Sequence, residues 1–318
     1  MSGRKYLQLN FNNIPANGLV SHARGNPVLT ATIGRQDAEL DLSSIRISGN
    51  VDMYANSARA RPVAGGVGAL LRASHKLGIF GVIDQLVFRN AETKQVVEHI
   101  RHYGRFMSSF LPTMASSQDM AGHLGESALI SDNYDAFTVG VVRNTQSSSF
   151  SIPLPSGLTL GGSKIPLGQF PLEIEIHLTP DSQFFFSSTG VTTTIADAFY
   201  ELSKLELSCE VEPAVQTPQT GVMTFNSITS YFSTLESTNS IINYRLGLSN
   251  VLGAFVNFVP SSFVNNLGQD GFLTYMPSVQ STGGAGDGGG TLANLLKISF
   301  LRNGERFPKH FENDTIYD

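Results

Sequence analysis

The feature that most restricts how this chain can fold is an apolar/polar alternation with a period of two residues. In LDLSSIRISGNVDMY, Ile45, Ile47, Val51 and Met53 fall on one side, and Arg46, Ser48, Asn50 and Asp52 fall on the other. PLEIEIHLTP repeats the pattern, with Leu172, Ile174, Ile176 and Leu178 opposed to Glu173, Glu175 and His177. In LELSCEVEP, Leu205, Leu207, Cys209 and Val211 oppose Glu206, Ser208, Glu210 and Glu212. Strands with one greasy face belong to antiparallel sheets covered on a single side, because parallel strands packed between helices read as continuous apolar runs. The fold class is therefore all-β, a sandwich or barrel. Breaks at Asn26-Pro27, Pro153 to Gly157, Gly161-Gly162, Pro180-Asp181 and Pro213 cut the chain into the short pieces such a fold needs.

Helices are few. HYGRFMSSFLPTMA places Tyr103, Phe106, Met107, Phe110 and Leu111 at helical spacing, with Pro112 expected to stop the helix. TTIADAFYELSK is a second candidate, with Thr194 as its cap. DQLVFRNAETKQVVEHI reads as strand, turn and strand, and SFLRNGERFP repeats its strand-to-turn element around Arg302-Asn303-Gly304-Glu305. At 318 residues the length suits two domains of roughly 150 residues each. The composition changes after the strand ending at Pro213, so one domain is expected over 1–213, a linker over 214–220 and a second domain over 221–318.

Several function classes fall away. The formal net charge is −5 and only 15% of residues are charged, which does not suit a groove that neutralises phosphates. Arg46, Arg59, Arg61, Arg72, Arg101 and Arg105 are dispersed and read as strand edges and subunit-interface pairs. Cys209 is the only cysteine, which excludes an intrachain disulfide and a multi-cysteine zinc site; its place on the apolar side of a strand makes it a small hydrophobe. The opening MSGRKYLQLNFNN lacks the apolar core of a signal peptide, so a soluble product made in a reducing compartment is expected, and the Asn313-Asp314-Thr315 triplet reads as a chance match. GGVGALL is too short to span a bilayer, and STGGAGDGGGT lacks the lysine of a phosphate-binding loop.

No catalytic constellation stands out. The G-x-S-x-G elbow, H-E-x-x-H and H-x-H are all missing. His99 and His102 form H-x-x-H across a strand end, with only Glu98 nearby as an acidic ligand. Glu173 and Glu175 share a strand face, but a sugar-cleaving pair needs carboxylates opposed across an aromatic cleft, and the chain has no Trp. A non-enzymatic role without cofactor or metal is the expectation.

The segments LDLSSIRISGNVDMY, GVIDQLVFRNAETKQVVEHIRHYGRF, PLEIEIHLTPDSQFFF and YELSKLELSCEVEP, with SFLRNGERFP as an echo in the second half, resemble the double-jelly-roll major capsid proteins of tailless icosahedral DNA viruses and lipid-containing phages. The resemblance implies two tandem jelly-roll β-sandwiches with a few short flanking helices, the second complete or partial before Asp318. It further implies pseudo-hexagonal homotrimers that tile an icosahedral shell, made in the host cytoplasm and located in the virion. Partners would be copies of the chain itself, neighbouring capsomers, penton and minor capsid proteins and an internal membrane, without sequence-specific nucleic-acid binding. Phe184, Phe185 and Phe186 follow Pro180 in a loop-like setting and are candidate subunit-interface residues; the alternative is that they pack inside their own domain. A carbohydrate-binding jelly roll, such as a receptor-binding spike or lectin, is the competing function, and a glycoside hydrolase using Glu173 or Glu175 is a third.

Overall fold

In a computed structural model of the chain, the described residues are 3–63, 66, 69–74, 77–116, 118–119, 122–130, 147–162, 164–187, 189, 193, 195–214, 225–234, 243, 252–256, 259, 264–268, 270–272, 301–302 and 305–306. Two antiparallel sheets face each other. The first is built on two long strands, β4 (Ala38–Tyr54) and β12 (Phe199–Pro213), flanked by β1 (Lys5–Asn10) and β8 (Ser148–Pro153) in the order β1-β12-β4-β8. Short strands β2 (Leu19–Val20) and β9 (Lys164–Pro166) add to β12 and β4. The second sheet runs β3 (Val28–Ile33), β10 (Leu172–Leu178), β6 (Ile83–Asn90), β7 (Val96–Ile100). Numbered along the chain, the eight principal strands therefore give sheets 1-8-3-6 and 2-7-4-5, successive strands alternating between the sheets except at the β6-β7 hairpin, in the Greek-key sequence that defines a jelly roll. Beside it, β5 (Leu71–Ala73) pairs with β11 (Phe185–Ser187).

The alternation read in the sequence is what fills the space between the sheets. Ile47, Val51, Met53, Leu207 and Cys209 from the first sheet and Leu29, Ile33, Leu86, Phe88, Ile174 and Ile176 from the second lie in one core cluster, each 4% exposed or less. Burial of each such side chain contributes on the order of 1.5–3 kcal/mol. Strand β4 carries a parity change that the sequence reading did not use. Leu40 and Leu42 point inward at even positions, whereas Ile45, Ile47, Val51 and Met53 point inward at odd ones. The register with β12 shifts between Ser208 and Glu210, and the extra residues are held by Asp41, which accepts from the Ser43 amide at 3.0 Å, and by Ser44 Oγ, which accepts from the Glu210 amide at 2.8 Å. This bulge keeps both halves of a 17-residue strand facing one core.

The hairpin expected over DQLVFRNAETKQVVEHI is present as β6 and β7, with Asn90 Oδ1 accepting from the Glu92 and Thr93 amides in the turn, 2.9 Å each. Its echo forms a second hairpin, β13 (Leu301–Arg302) with β14 (Glu305–Arg306). Helix α1 (Tyr103–Met114) follows β7 as expected, but Pro112 does not stop it. Proline removes one amide, and the helix closes one residue beyond its end through the Ala115 amide on the Leu111 carbonyl at 3.0 Å. The helix expected over TTIADAFYELSK is corrected: residues 195–197 form a turn and β12 starts at Phe199, because Phe199 and Tyr200 are claimed by cross-strand pairing with Tyr54 and Met53. Three short helices, α2 (His123–Ala128), α3 (Gly157–Leu160) and α4 (Asp181–Phe184), complete the roll among the described residues. Most of 221–318, residues 215–220 of the expected linker, Thr194 and the 281–291 glycine-rich stretch lie outside the described residues.

Two measurements check this core. Burial pushes the Cys209 thiol up to about 11, so it is neutral and shielded in the native state; alkylation of Cys209 is expected to follow global unfolding rather than precede it. Asp181 accepts from the Tyr200 amide at 3.0 Å, yet burial outweighs that bond and pushes its carboxyl up to about 6. Because the folded value lies above the unfolded one, this group's contribution is fully present below about pH 4 and is lost as pH rises through about 6, a decline of up to about 3 kcal/mol. Asp181→Asn keeps the acceptor and abolishes the ionisation. Its stability relative to the parent is expected to increase between pH 4 and pH 7.5 in denaturant titrations.

Candidate assembly surface

The outward faces of both sheets are polar, and their charges are largely spent on one another. On the second sheet, Arg89 Nη2 lies 2.6 Å from Glu175, Lys94 Nζ 2.6 Å from Glu173 and His177 Nε2 2.7 Å from Glu175. His99 Nε2 meets Gln85 Oε1 at 2.9 Å, and His102 Nδ1 lies 3.6 Å from Asp84. Burial and then the neighbouring Arg101 and His177 hold His99 below the usual histidine range. For Asp84, burial pushes upward, but the hydrogen bond and charge of His102 prevail and hold the carboxyl below its ordinary value. Glu173 and Glu175 are thus neighbours on one strand tied into ion pairs, not acids opposed across a cleft, which removes the geometry a glycosidase needs. Among the described residues no group of three His, Cys, Asp or Glu side chains is arranged to hold a metal, and no helix is long and apolar enough to cross a membrane.

Phe184, Phe185 and Phe186 are 1%, 1% and 8% exposed in the protomer. Phe184 sits 4.9 Å from both Phe185 and Tyr200, ring centre to ring centre, as part of the core beside β11. Within the protomer these three rings pack inside their own domain. The signal that placed them in a loop, their closeness to Pro180, marks only the start of the single-turn helix α4.

Several exposed apolar side chains gather along α1, where chain from beyond residue 221 docks on the roll. Glu98, 3% exposed in the middle of β7, accepts from the Gly157 and Leu158 amides at 3.0 Å and from the Ile228 amide at 2.7 Å. One buried carboxylate thereby fastens the start of α3 and the later segment to the same strand. The later chain passes so close that a Cβ on Gly157 would overlap the Asn226 carbonyl. Two residues beyond Ile228, Ser230 Oγ accepts from the Arg101 amide at 2.9 Å and donates to the Arg101 carbonyl at 3.0 Å. Phe272 inserts between the 3₁₀ turn Gly78–Val82 and α1, and a Cβ on Gly104 would stand 2.6 Å from its ring.

Phe232 then packs against His102 at a tilt, 5.7 Å between ring centres, and Phe255 meets Phe106 and Phe110 edge-on at 6.2 and 5.8 Å. His102, Phe106, Phe110 and Met114 succeed one another every four residues, so they form a single row along the helix. Phe232 remains 76% exposed, Leu252 74%, Phe255 52% and Met114 51%. The helical spacing of Phe106 and Phe110 was legible in the sequence; that aromatics more than a hundred residues later would extend this row into solvent was not.

Strand order and sandwich geometry place the described part of the chain among jelly-roll proteins. No protein-family model matches the chain, and no curated protein matches it. Among solved structures it is similar to the PBCV-1 virus capsid at 11% identity, over 65% of this chain and 42% of that one, with a TM-score of 0.41. It is similar to the Sputnik virophage at 11% identity, over 68% and 49%, with a TM-score of 0.44. It is also similar to the mavirus major capsid protein at 9% identity, over 69% and 48%, with a TM-score of 0.35. The chain spans less than half the length of each of these solved chains.

The docking contacts can be tested singly. Glu98→Gln removes the charge and turns an amide toward three N–H donors, with an expected cost of about 1–3 kcal/mol. Gly104→Ala pushes a methyl group into the Phe272 ring and is expected to cost about 1–3 kcal/mol. In both variants, limited proteolysis is expected to open the chain beyond residue 221 before it attacks the roll.

Proposed function

We propose that this chain is a structural subunit of a virus shell, a major capsid protein that acts by self-association and not by catalysis. The observation that carries the reading is the apolar row along α1, where the exposed Phe232, Phe255 and Met114 stand with the partly buried Phe106 and Phe110, on a jelly roll whose charged outer faces are largely paired internally. A contiguous apolar strip on a rigid β-sandwich suits protein contact, and aromatic anchors of this kind dominate interface energetics. The sequence resemblance to double-jelly-roll capsid proteins supports the finer reading. In it, residues 1–213 form one roll, 214–220 a linker and 221–318 a second roll; homotrimers of pseudo-hexagonal outline tile an icosahedral face, in contact with neighbouring capsomers, penton and minor capsid proteins and an internal membrane. Repeated modest contacts give such a lattice its strength through multivalency.

Sedimentation velocity with electron microscopy of the purified chain tests this. Trimers that condense into ordered arrays as concentration rises are expected. Phe232→Ser and Phe255→Ser alter exposed rings and spare the core, and each is expected to weaken association roughly tenfold or more. A chain that stays monomeric at every concentration and binds glycans as a discrete molecule would overturn the reading in favour of a carbohydrate-binding jelly roll.

A further inference from the structure

At the far end of the first sheet, Asp52 on β4 and Glu201 on β12 are direct cross-strand partners. Both point away from the core, whose side is taken by Val51, Met53, Tyr200 and Leu202, yet they are only 8% and 1% exposed. Adjacent buried carboxylates persist only when compensated. Here three guanidinium groups converge on them. Arg24 Nε lies 3.0 Å from Glu201 Oε1, Arg59 Nη2 pairs with Glu201 Oε2, and Arg61 Nη2 pairs with Asp52 Oδ1. Ser147 Oγ donates to Asp52 Oδ2 at 3.2 Å. Three of the carboxylate oxygens accept hydrogen bonds and Glu201 Oε1 is ion-paired with Arg24 without one, so three cations face two anions.

The cations are fixed in place. Tyr54 and Phe199 stack at 5.1 Å, with Arg24 5.4 Å above Phe199 and Arg59 and Arg61 at 5.4 and 5.6 Å from Tyr54. The loop that presents Arg59 and Arg61 is tied by Asn56 Oδ1, which accepts from the Ala58 and Ala60 amides at 3.1 and 3.2 Å, and by the Ala55 amide on the Ala60 carbonyl at 2.8 Å. Arg59 sits at φ 62°, a left-handed conformation that a non-glycine residue keeps only when its surroundings hold it there. Arg61 Nη1 is buried and has no hydrogen-bond partner among the described residues. A buried guanidinium edge without an acceptor is costly.

We propose that Arg24, Arg59 and Arg61 form a receptor for one further oxyanion, a carboxylate or a phosphate. It would be held by the unpartnered Arg61 Nη1 edge and by the N–H groups of Arg24 and Arg59 that Glu201 does not use. A planar guanidinium fork matches two oxygens of such a group at once. The ligand has two sources of the same chemistry: free phosphate, or an acidic side chain of a second copy of this chain, whose net charge is −5. This site is distinct from the apolar row along α1, and its test does not depend on that row.

The probe is inorganic phosphate against chloride at equal ionic strength, read as the melting temperature of the full chain. The parent protein is expected to melt roughly 2–4 °C higher in phosphate. Arg61→Lys keeps a charge against Asp52 but lacks the second N–H edge, and it is expected to lose that increment, so any general salting effect of phosphate cancels in the comparison. Should Arg61→Lys fail to fold, Arg24→Gln, with Arg59 still on Glu201, serves the same comparison. In the second arm, self-association is followed in phosphate-free buffer. Competition by phosphate, lost in Arg61→Lys, assigns the ligand to a neighbouring copy, and stabilisation without competition assigns it to a free anion; either outcome supports the receptor. Equal phosphate response in parent and variant, with no competition, overturns it. Because the α1 row is probed by Phe232→Ser, failure here leaves the assembly reading separately answerable.

Discussion

The pairing of β4 with β12 is the contact on which the rest of the molecule depends. It runs from Tyr54 opposite Phe199 to Ala38 opposite Pro213, with β1 added to the outer edge of β12 and β8 to that of β4. The two strands come from opposite ends of the roll's sequence, so their union closes the domain and positions the second sheet over the first. The inward side chains of both strands then supply most of what the first sheet gives to the shared core. Irregularities in the pair are accommodated rather than avoided: the Asp41-Ser44 bulge restores the facing of β4, and a second register shift between Ser203 and Glu206 places Lys204 at φ 51°.

Because the core is sealed this way, what lies outside it is free for contact. The charged outer faces are neutralised mostly across strands, where partially exposed pairs add little stability but remove uncompensated charge from the surface. The later chain uses the flank at α1 instead, anchored by a buried carboxylate at Glu98 and by the Phe272 ring against Gly104 and Gly81. Attachment at several separate points fixes those segments against the roll and leaves Phe232 and Phe255 standing on a supported surface, in a position to meet another molecule.

The strength and the blind spots of the sequence reading have the same origin. A period of two is a local property, so Ile174 and Ile176, Leu207 and Cys209 could be assigned to the interior without knowing what they touch. The hairpin at Arg89-Asn90 and the helix from Tyr103 were legible for the same reason. The reading failed where a distant partner overrode local preference. Phe199 and Tyr200 sit in a stretch with helical spacing but are recruited as strand residues by Tyr54 and Met53. Phe184 to Phe186 look like loop residues until β5 and Tyr200 cover them.

What the sequence determined by itself is the all-β, one-face-buried character of this chain and the inward residues of its alternating strands, because side-chain alternation along a strand follows from backbone geometry alone. Only the tertiary structure decided which aromatics remain in solvent, and which charges meet. Exposure and the neutralisation of Asp52, Glu98 and Glu201 depend on segments brought together across the fold, and one-dimensional spacing carries no measure of that proximity.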